Sequence, residues 1–187
     1  MDELVELLLE DTRDKMEKSI SHLQNELIKI RAGKANPHML DGIMINYYGV
    51  QTPLNQASNI GTPDPRTLII QPWDRSMIET IEKAIMQANI GLNPINNGEV
   101  IRINVPPLTE ERRKELVKQV KNEGENTKIG IRSTRREANE ELKKMRKEGL
   151  AEDLEKTAQD EVQKLTDEFI EQIDIILEAK EKDIMTV

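Results

Sequence analysis

The chain has 187 residues, of which 33% are charged, 36% hydrophobic and 2% aromatic, and its 27 basic and 35 acidic side chains give a net charge of -8. Because cysteine is absent, disulfides, cysteine-zinc sites, thiol nucleophiles and iron-sulfur clusters are excluded. No stretch reaches the roughly 18 apolar residues of a membrane span, and the acidic start is unlike a signal peptide, so we expect a cytoplasmic protein without a membrane partner.

The first predicted element is a long amphipathic helix over residues 2–30. Its apolar side chains recur at intervals of three and four residues, which places them along one stripe of a helix. The stripe contains Leu9, Met16, Ile20, Leu23, Leu27 and Ile30. Such a helix cannot bury its stripe alone, so it needs helical partners.

Residues 32–105 lose the helical period and are rich in proline and β-branched residues, which predicts a small α/β domain. Strands are predicted at 43–48, 67–71, 92–96 and 100–105. The dipeptide Asn97-Gly98 predicts a hairpin between the last two strands. A helix is predicted over 76–89, and it begins with a capping box that extends from Ser76 to Glu79.

Two further long helices are predicted after residue 108. The first has Thr109 as its N-cap and Gly149 near its C-terminal end, and the second contains an apolar stripe that starts at Leu154. The predicted fold class is therefore α+β. It consists of an elongated three-helix bundle of residues 1–30 and 106–187, with a smaller α/β domain of residues 31–105 inserted into it.

The chain passes between the two predicted domains twice, at 32–37 and at 105–108. The second passage contains the pair Pro106-Pro107, which stiffens it. Two short connections allow rotation about a defined axis, so they predict a two-stranded hinge. The alternative is that both passages are rigid turns that lock the domains together.

The sequence contains no catalytic or cofactor-binding pattern. His22 and His38 lie far apart without metal-ligand spacing, and Gly33-Lys34 lacks the rest of a phosphate-binding loop. Carboxylates on long helices are typically solvated charges. We therefore predict no enzyme, no metal, no cofactor and no small-molecule substrate.

Residues 112–147 contain 13 of the 27 basic residues and only 6 acidic ones, although the chain as a whole is acidic. At about 100° per residue, a helix would place the basic side chains in one sector and most of the acidic ones in another. Like charges four residues apart each cost roughly 0.2 to 0.5 kcal/mol, so this segregation favours an anionic partner. The basic sector contains Lys114, Lys118, Lys121, Lys128, Arg132, Arg135, Arg136, Lys143, Arg146 and Lys147.

The partner that this sector indicates is structured RNA. The sector extends over about 50 Å, and planar guanidinium groups suit phosphate contacts. No aromatic residue lies in it, which disfavours recognition of single strands by base stacking. The alternative is that the basic sector pairs with the acidic faces of the first and third helices.

Three segments of the chain resemble a known family. They are IRAGKANP at 30–37, VPPLTEERRK at 105–114 and IRSTRREAN at 131–139. In this order they closely resemble bacterial ribosome recycling factors, and the similarity covers essentially the whole length. Lys34, where arginine is common, and Ser133-Thr134, in place of a bulkier pair, affect only the contacts at those positions.

This resemblance implies an L-shaped, tRNA-like monomer that binds the post-termination ribosome. Together with elongation factor G and GTP hydrolysis, it would dissociate the ribosome into subunits and release mRNA and tRNA. The implied partners are the RNA of the large ribosomal subunit and elongation factor G. The implied rRNA-binding residues are Arg132, Arg135, Arg136, Lys128 and Lys121. The implied hinge residues are Arg31, Gly33, Asn36, Pro37, Val105, Pro106 and Pro107.

Two other functions stay open from the residues alone. One is an adaptor whose bundle binds an acidic protein and whose α/β domain binds a second partner, without RNA. The other is a hydrolase that uses a pair of carboxylates with perturbed pKa values in a cleft. Binding that weakens steeply with salt distinguishes the RNA hypothesis from the adaptor.

Overall fold

A computed structural model describes residues 3–30 and 33–186 of the chain. The chain divides into two compact units, one formed by Met1–Ile30 with Glu111–Val187 and the other by Arg31–Glu110. The predicted α+β class is confirmed, because the first unit contains three long helices and the second a small antiparallel sheet. The second unit ends at Glu110, later than the predicted boundary at residue 105.

Five helices and six strands follow one another along the described chain. In order they are α1 (Glu3–Lys29), β1 (Met44–Tyr47), β2 (Val50–Pro53), α2 (Leu54–Ala57), β3 (Ser58–Asp64), β4 (Thr67–Pro72), α3 (Ile78–Gln87), β5 (Pro94–Asn96), β6 (Ile101–Asn104), α4 (Glu110–Lys147) and α5 (Glu152–Met185). Two short 3-10 turns, Pro37–Leu40 and Arg75–Met77, precede β1 and α3.

The helical unit is held together by the apolar stripes of α1, α4 and α5. One cluster joins Val5 of α1, Leu142 of α4 and Val162 of α5, so all three helices contribute to one core. Most residues of the predicted stripes are buried, whereas Leu9 of α1 and Ile30, which follows α1, are only half-buried. The long helices therefore exist because each one covers the apolar stripe of its neighbours.

Helix α4 ends where the sequence predicts, at a glycine in the left-handed region. Gly149 has a φ of 115°, which an L side chain rarely adopts. Its amide donates to the carbonyl of Arg146, and the amide of Leu150 donates to the carbonyl of Met145. These two bonds form a Schellman cap, which satisfies the last carbonyls of α4 and turns the chain into α5.

The α/β unit contains a four-stranded antiparallel sheet with the order β3-β4-β6-β5 and a separate hairpin of β1 and β2. Helix α3 connects β4 to β5 and packs Ile81 and Ile85 against the sheet residues Leu68, Ile70 and Ile101. The predicted hairpin at Asn97-Gly98 is confirmed, because β5 and β6 pair directly across it.

Two details of the α/β unit differ from the prediction. Strands β2 and β3 were not predicted, because they contain Pro53 and Pro63 and few apolar residues, and proline is tolerated in β3 only at the sheet edge. The prediction of a capping box at Ser76 is wrong. The side chain of Asp74 instead caps the 3-10 turn before α3 by accepting from the amide of Ser76, and α3 has no side-chain cap.

Candidate nucleic-acid interface

Helix α4 has one face buried in the core and charged residues around the rest of its circumference. Its core face buries Leu116, Val120, Ile131, Ala138 and Leu142 against α1 and α5. The remaining circumference carries the charged residues, so each charged side chain lies at an edge beside a neighbouring helix or on the side away from both. This position decides which cations of α4 have partners within the protein.

The edge of α4 beside α5 contains two cations that are paired with acidic residues. Nζ of Lys128 lies 2.6 Å from a carboxylate oxygen of Asp174 in α5, and the Lys128 side chain is only 15% exposed. At the end of the helix, Arg146 contacts the carboxylates of Glu152 and Glu155 and donates to the carbonyl of Leu150. The alternative explanation of the basic sector is therefore correct for these two residues.

The opposite edge of α4 is acidic and lies beside α1. Lys15 of α1 contacts Asp11 on its own helix at 3.0 Å and Glu137 of α4 at 4.0 Å. The hydrogen bond and charge of Asp11 raise the pKa of Lys15 above its ordinary value. The acidic flank of α4 thus has a cationic partner within the helical unit.

Seven further cations of the basic sector form a surface that we call the open basic face. Its residues form no ion pair with any described residue, and Arg136 makes only a bond from its Nε to the carbonyl of Arg132 one turn earlier. The open basic face consists of Lys118, Lys121, Arg132, Arg135, Arg136, Lys143 and Lys147. It extends over about 44 Å of helix. The cost of like-charge repulsion is therefore not compensated by acids of the same chain.

The structure brings four of the five predicted rRNA-binding residues together on this face. Lys121 and Arg136 are exposed, and Arg132 and Arg135 are half-buried. Lys128 differs, because its ammonium group is turned toward α5 and held by Asp174. It lies in the predicted sector but at its edge, where helix periodicity alone cannot distinguish a solvated cation from an interhelical ion pair.

Sequence reasoning did not single out Asn139, a polar residue that lies among these cations. It lies at about 20° from Lys128 around α4, inside the basic sector. Its Oδ1 is shielded from solvent and accepts no hydrogen bond. The sequence signal was its position, since Asn139 is the one neutral polar side chain between the cations of this sector.

The predicted hinge residues are distributed unevenly over the two passages. Arg31 lies outside the described residues. Asn36 accepts from the amide of His38 and caps the first 3-10 turn, in which Pro37 is the first residue. Val105 is buried in the core of the α/β unit, and its amide donates to the carbonyl of Arg66. Asn36, Pro37 and Val105 are thus held within the α/β unit, and the hinge role assigned to them stays a prediction.

Gly33, Pro106 and Pro107 also belong to the unit that extends from Arg31 to Glu110, and they lie close to its two boundaries in sequence. The two prolines are exposed and belong to no helix or strand. Gly33 has a φ of 72°, and a Cβ added there would lie 2.6 Å from Cγ of Leu108. Only glycine fits this close approach without moving the neighbouring chain.

Metal sites and membrane spans are both absent from residues 3–30 and 33–186. No group of three histidine or acidic side chains there could hold a metal ion. In the same part of the chain, no helix is both long enough and apolar enough to cross a membrane.

Comparison with known proteins agrees with this architecture. The ribosome-recycling factor of Christiangramia forsetii is 57% identical over 187 residues, which cover 100% of both chains. A solution structure of a ribosome recycling factor superposes with a TM-score of 0.81 at 38% identity and covers 100% of both chains.

A second solved structure contains a relative within a larger complex. It presents the T. thermophilus ribosome recycling factor and the E. coli elongation factor G bound to the E. coli post-termination complex. Its chain is 46% identical, with a TM-score of 0.65, and the match covers 97% of this chain and 99% of that chain. The family profile of ribosome recycling factor matches residues 23–185. The chain therefore belongs to the ribosome recycling factor family.

Proposed function

We propose that this protein recycles ribosomes. It binds the post-termination ribosome and, with elongation factor G and GTP hydrolysis, promotes dissociation into subunits and release of mRNA and tRNA. Membership of the family supports this function over the whole chain, because relatives match it from end to end. The solved assembly of a relative with elongation factor G supports the same pair of partners.

The open basic face carries the proposal at the level of residues. Its cations have no acidic partner among the described residues, and they lie on a protein whose net charge is -8. A polyanion is the partner that removes their mutual repulsion, and the RNA of the large ribosomal subunit offers phosphates over the required length. We assign the RNA contacts to Lys121, Arg132, Arg135 and Arg136.

The protein acts as a translation factor rather than as an enzyme. Its own residues provide binding and transmission of movement, and the chemical energy comes from GTP hydrolysis by elongation factor G. Because the proposed function takes place on ribosomes, we infer a cytoplasmic location. The adaptor and hydrolase alternatives have no observation in their favour comparable to the open basic face.

The test is binding to purified large ribosomal subunits at several salt concentrations. If about six phosphates are contacted, log affinity falls with log salt with a slope of about -5. Replacing Arg132 by alanine removes a charge-assisted contact and weakens binding about tenfold or more, with helix content unchanged by circular dichroism. Affinity that does not depend on salt, or an Arg132→Ala variant that binds normally, contradicts the RNA interface.

The functional readout is subunit dissociation by light scattering, with elongation factor G and GTP. The wild-type protein is expected to split post-termination ribosomes only when both are present. Splitting without elongation factor G contradicts the proposed division of labour.

A further inference from the structure

We propose that Asn139 is a specificity-determining residue of the open basic face, whose carboxamide accepts a hydrogen bond from a nucleotide of the bound RNA. This inference rests on the proposed function, because it needs RNA at this face. It adds to the phosphate contacts a residue that recognises a chemical group which phosphate lacks.

The first observation is the position of Asn139. Arg135 and Arg136 precede it by one turn of α4, and Lys143 follows it by one turn. At about 100° per residue, Asn139 lies within the angular range of the open basic face. An RNA backbone that follows this face would therefore pass over Asn139.

The second observation is the unpaired acceptor. Oδ1 of Asn139 is shielded from solvent and has no hydrogen-bond partner, while most buried polar atoms in proteins do have one. The flanking arginines and lysines carry only donors, yet none of them donates to this oxygen. Within the described part of the chain, Asn139 therefore has no bond that explains an amide at this position.

Because Oδ1 of Asn139 is an acceptor, only hydrogen-bond donors of the RNA can pair with it. Phosphate oxygens only accept hydrogen bonds, so a phosphate cannot satisfy Oδ1. The ribose 2′-hydroxyl and the N–H groups of bases do donate, and both are accessible at the shallow groove or at unpaired nucleotides of folded RNA. The χ2 torsion of asparagine is broad, so the carboxamide can turn its oxygen outward when RNA arrives.

The test compares two variants of the full-length protein, Asn139→Ala and the matched control Asn126→Ala. Asn126 is exposed on the same helix at about 160° from Lys128, outside the basic sector. Affinity for large ribosomal subunits is measured over a salt series. Asn139→Ala is expected to bind about tenfold more weakly with an unchanged salt slope, because the lost bond involves no phosphate charge. Asn126→Ala is expected to bind normally.

Urea denaturation separates this role from a structural one. Both variants gain helix propensity equally, but Asn139→Ala also removes a buried unpaired acceptor. Its unfolding midpoint is therefore expected to rise more than that of Asn126→Ala. Weaker binding combined with higher stability supports recognition. A lower midpoint for Asn139→Ala would indicate that the side chain stabilises the fold, and would overturn the proposal.

Chemical probing of the bound RNA distinguishes the two sources of the donor. Asn139→Ala is compared with wild type at protein concentrations that saturate the subunit. Recovery of 2′-hydroxyl acylation at a protected nucleotide identifies the ribose, and recovery of carbodiimide reactivity identifies a base N–H of guanine or uracil.

Failure of this inference and failure of the proposed function give different results. If wild-type binding depends steeply on salt and Asn139→Ala binds as tightly as wild type, the RNA interface stands and the role of Asn139 is refuted. If wild-type binding does not depend on salt, the interface itself is refuted, and the role of Asn139 falls with it.

Discussion

Lys121 and Lys128 show how one side-chain type takes two roles on a single helix. Both lie in the basic sector, but Lys121 is exposed and Lys128 is held by Asp174 of α5. The angular positions of the two differ by only about 20°. Angular position alone does not decide the role, because Arg135 lies about 20° closer to the core face than Lys128 and forms no ion pair with a described residue.

This difference leads to a paired prediction for Lys121→Met and Lys128→Met, which both remove the charge and keep an apolar stem. Lys121→Met is expected to reduce the salt slope of subunit binding by about one and to leave stability unchanged, because it removes one phosphate contact. Lys128→Met is expected to leave the slope unchanged and to lower stability by at most about 1 kcal/mol, because Asp174 loses its partner but is 59% exposed and stays hydrated.

The two measurements are subunit binding over a salt series and urea denaturation. A reduced salt slope for Lys128→Met would show that its ammonium leaves Asp174 to contact RNA. An unchanged slope for Lys121→Met would remove Lys121 from the interface.

Two glycines of α4 are expected to respond in opposite ways to alanine. A Cβ at Gly124 would lie 2.2 Å from Cδ1 of Leu177, so Gly124→Ala forces Leu177 to move and overpacks the contact between α4 and α5. A Cβ at Gly130 meets nothing within 4 Å. Gly130→Ala should therefore stabilise by about 0.5 to 1 kcal/mol through helix propensity.

Gly124→Ala is expected to destabilise by about 1 kcal/mol, because overpacking of about 1 to 3 kcal/mol outweighs the same gain in propensity. Urea denaturation of both variants gives the two free energies of unfolding. A stabilised Gly124→Ala variant would mean that Leu177 rotates away without loss of packing.

The sequence predicts elements well where one periodicity persists over many residues. The stripes of α1, α4 and α5 repeat every three to four residues along the whole of each helix, so these helices follow directly from the pattern. Strand β3 contains Gly61, Pro63 and Asp64, which are typical of turns. It forms a strand because it pairs with β4. This pairing depends on the tertiary structure, which the local sequence does not determine.

At the candidate site too, features that depend on one helix could be predicted, and features that depend on packing between helices could not. The angular sector of the cations could be derived from α4 alone, and it correctly groups Arg132, Arg135 and Arg136. The ion pair between Lys128 and Asp174 could not be predicted from the sequence, because the register between α4 and α5 depends on side-chain packing across the bundle. The unpaired oxygen of Asn139 likewise depends on how its neighbours shield it.

The hydrogen bonds of Asp74 in the turn before α3 are expected to make the stability of the α/β unit depend on acid. Asp74 accepts hydrogen bonds from the hydroxyl groups of Tyr48 and Ser76 and from the amide of Ser76, and these bonds lower the pKa of Asp74 below its ordinary value. A carboxyl whose pKa is lower in the folded state stabilises the fold above its unfolded pKa of about 3.8. That contribution is lost as the pH falls through the folded pKa.

Asp74→Asn keeps an acceptor but removes the titrating group. The wild-type protein is therefore expected to lose stability more steeply than Asp74→Asn as the pH falls below about 4. Denaturation monitored by the fluorescence of Trp73, which is exposed beside Asp74, measures this difference. Equal slopes for the two proteins would show that the capping bonds do not depend on the charge of Asp74.

At the scale of the whole molecule, the chain passes twice between a unit that carries the open basic face and a unit that carries the sheet. The α/β unit holds both passages to its own β3–β4 turn, since Ala35 donates to the carbonyl of Pro65 and Val105 to that of Arg66. Gly33 and the Pro106-Pro107 pair lie between these two bonds and the boundaries of the unit at residues 31 and 110, and we propose that they form the hinge. A stiff second passage would convert free tumbling into rotation about a defined axis.

The hinge proposal predicts that stiffness at Pro106-Pro107 matters for splitting and not for binding. Replacing both prolines by glycine makes this passage flexible, so movement of one unit is transmitted poorly to the other. Affinity for large subunits is expected to stay unchanged, because the open basic face is untouched. The rate of subunit splitting with elongation factor G and GTP is expected to fall by about fivefold or more.

A variant with two alanines, which restrict the backbone more than glycine, should lie between wild type and the glycine variant. Splitting at wild-type rates by the glycine variant would mean that the two units do not act through a stiff hinge.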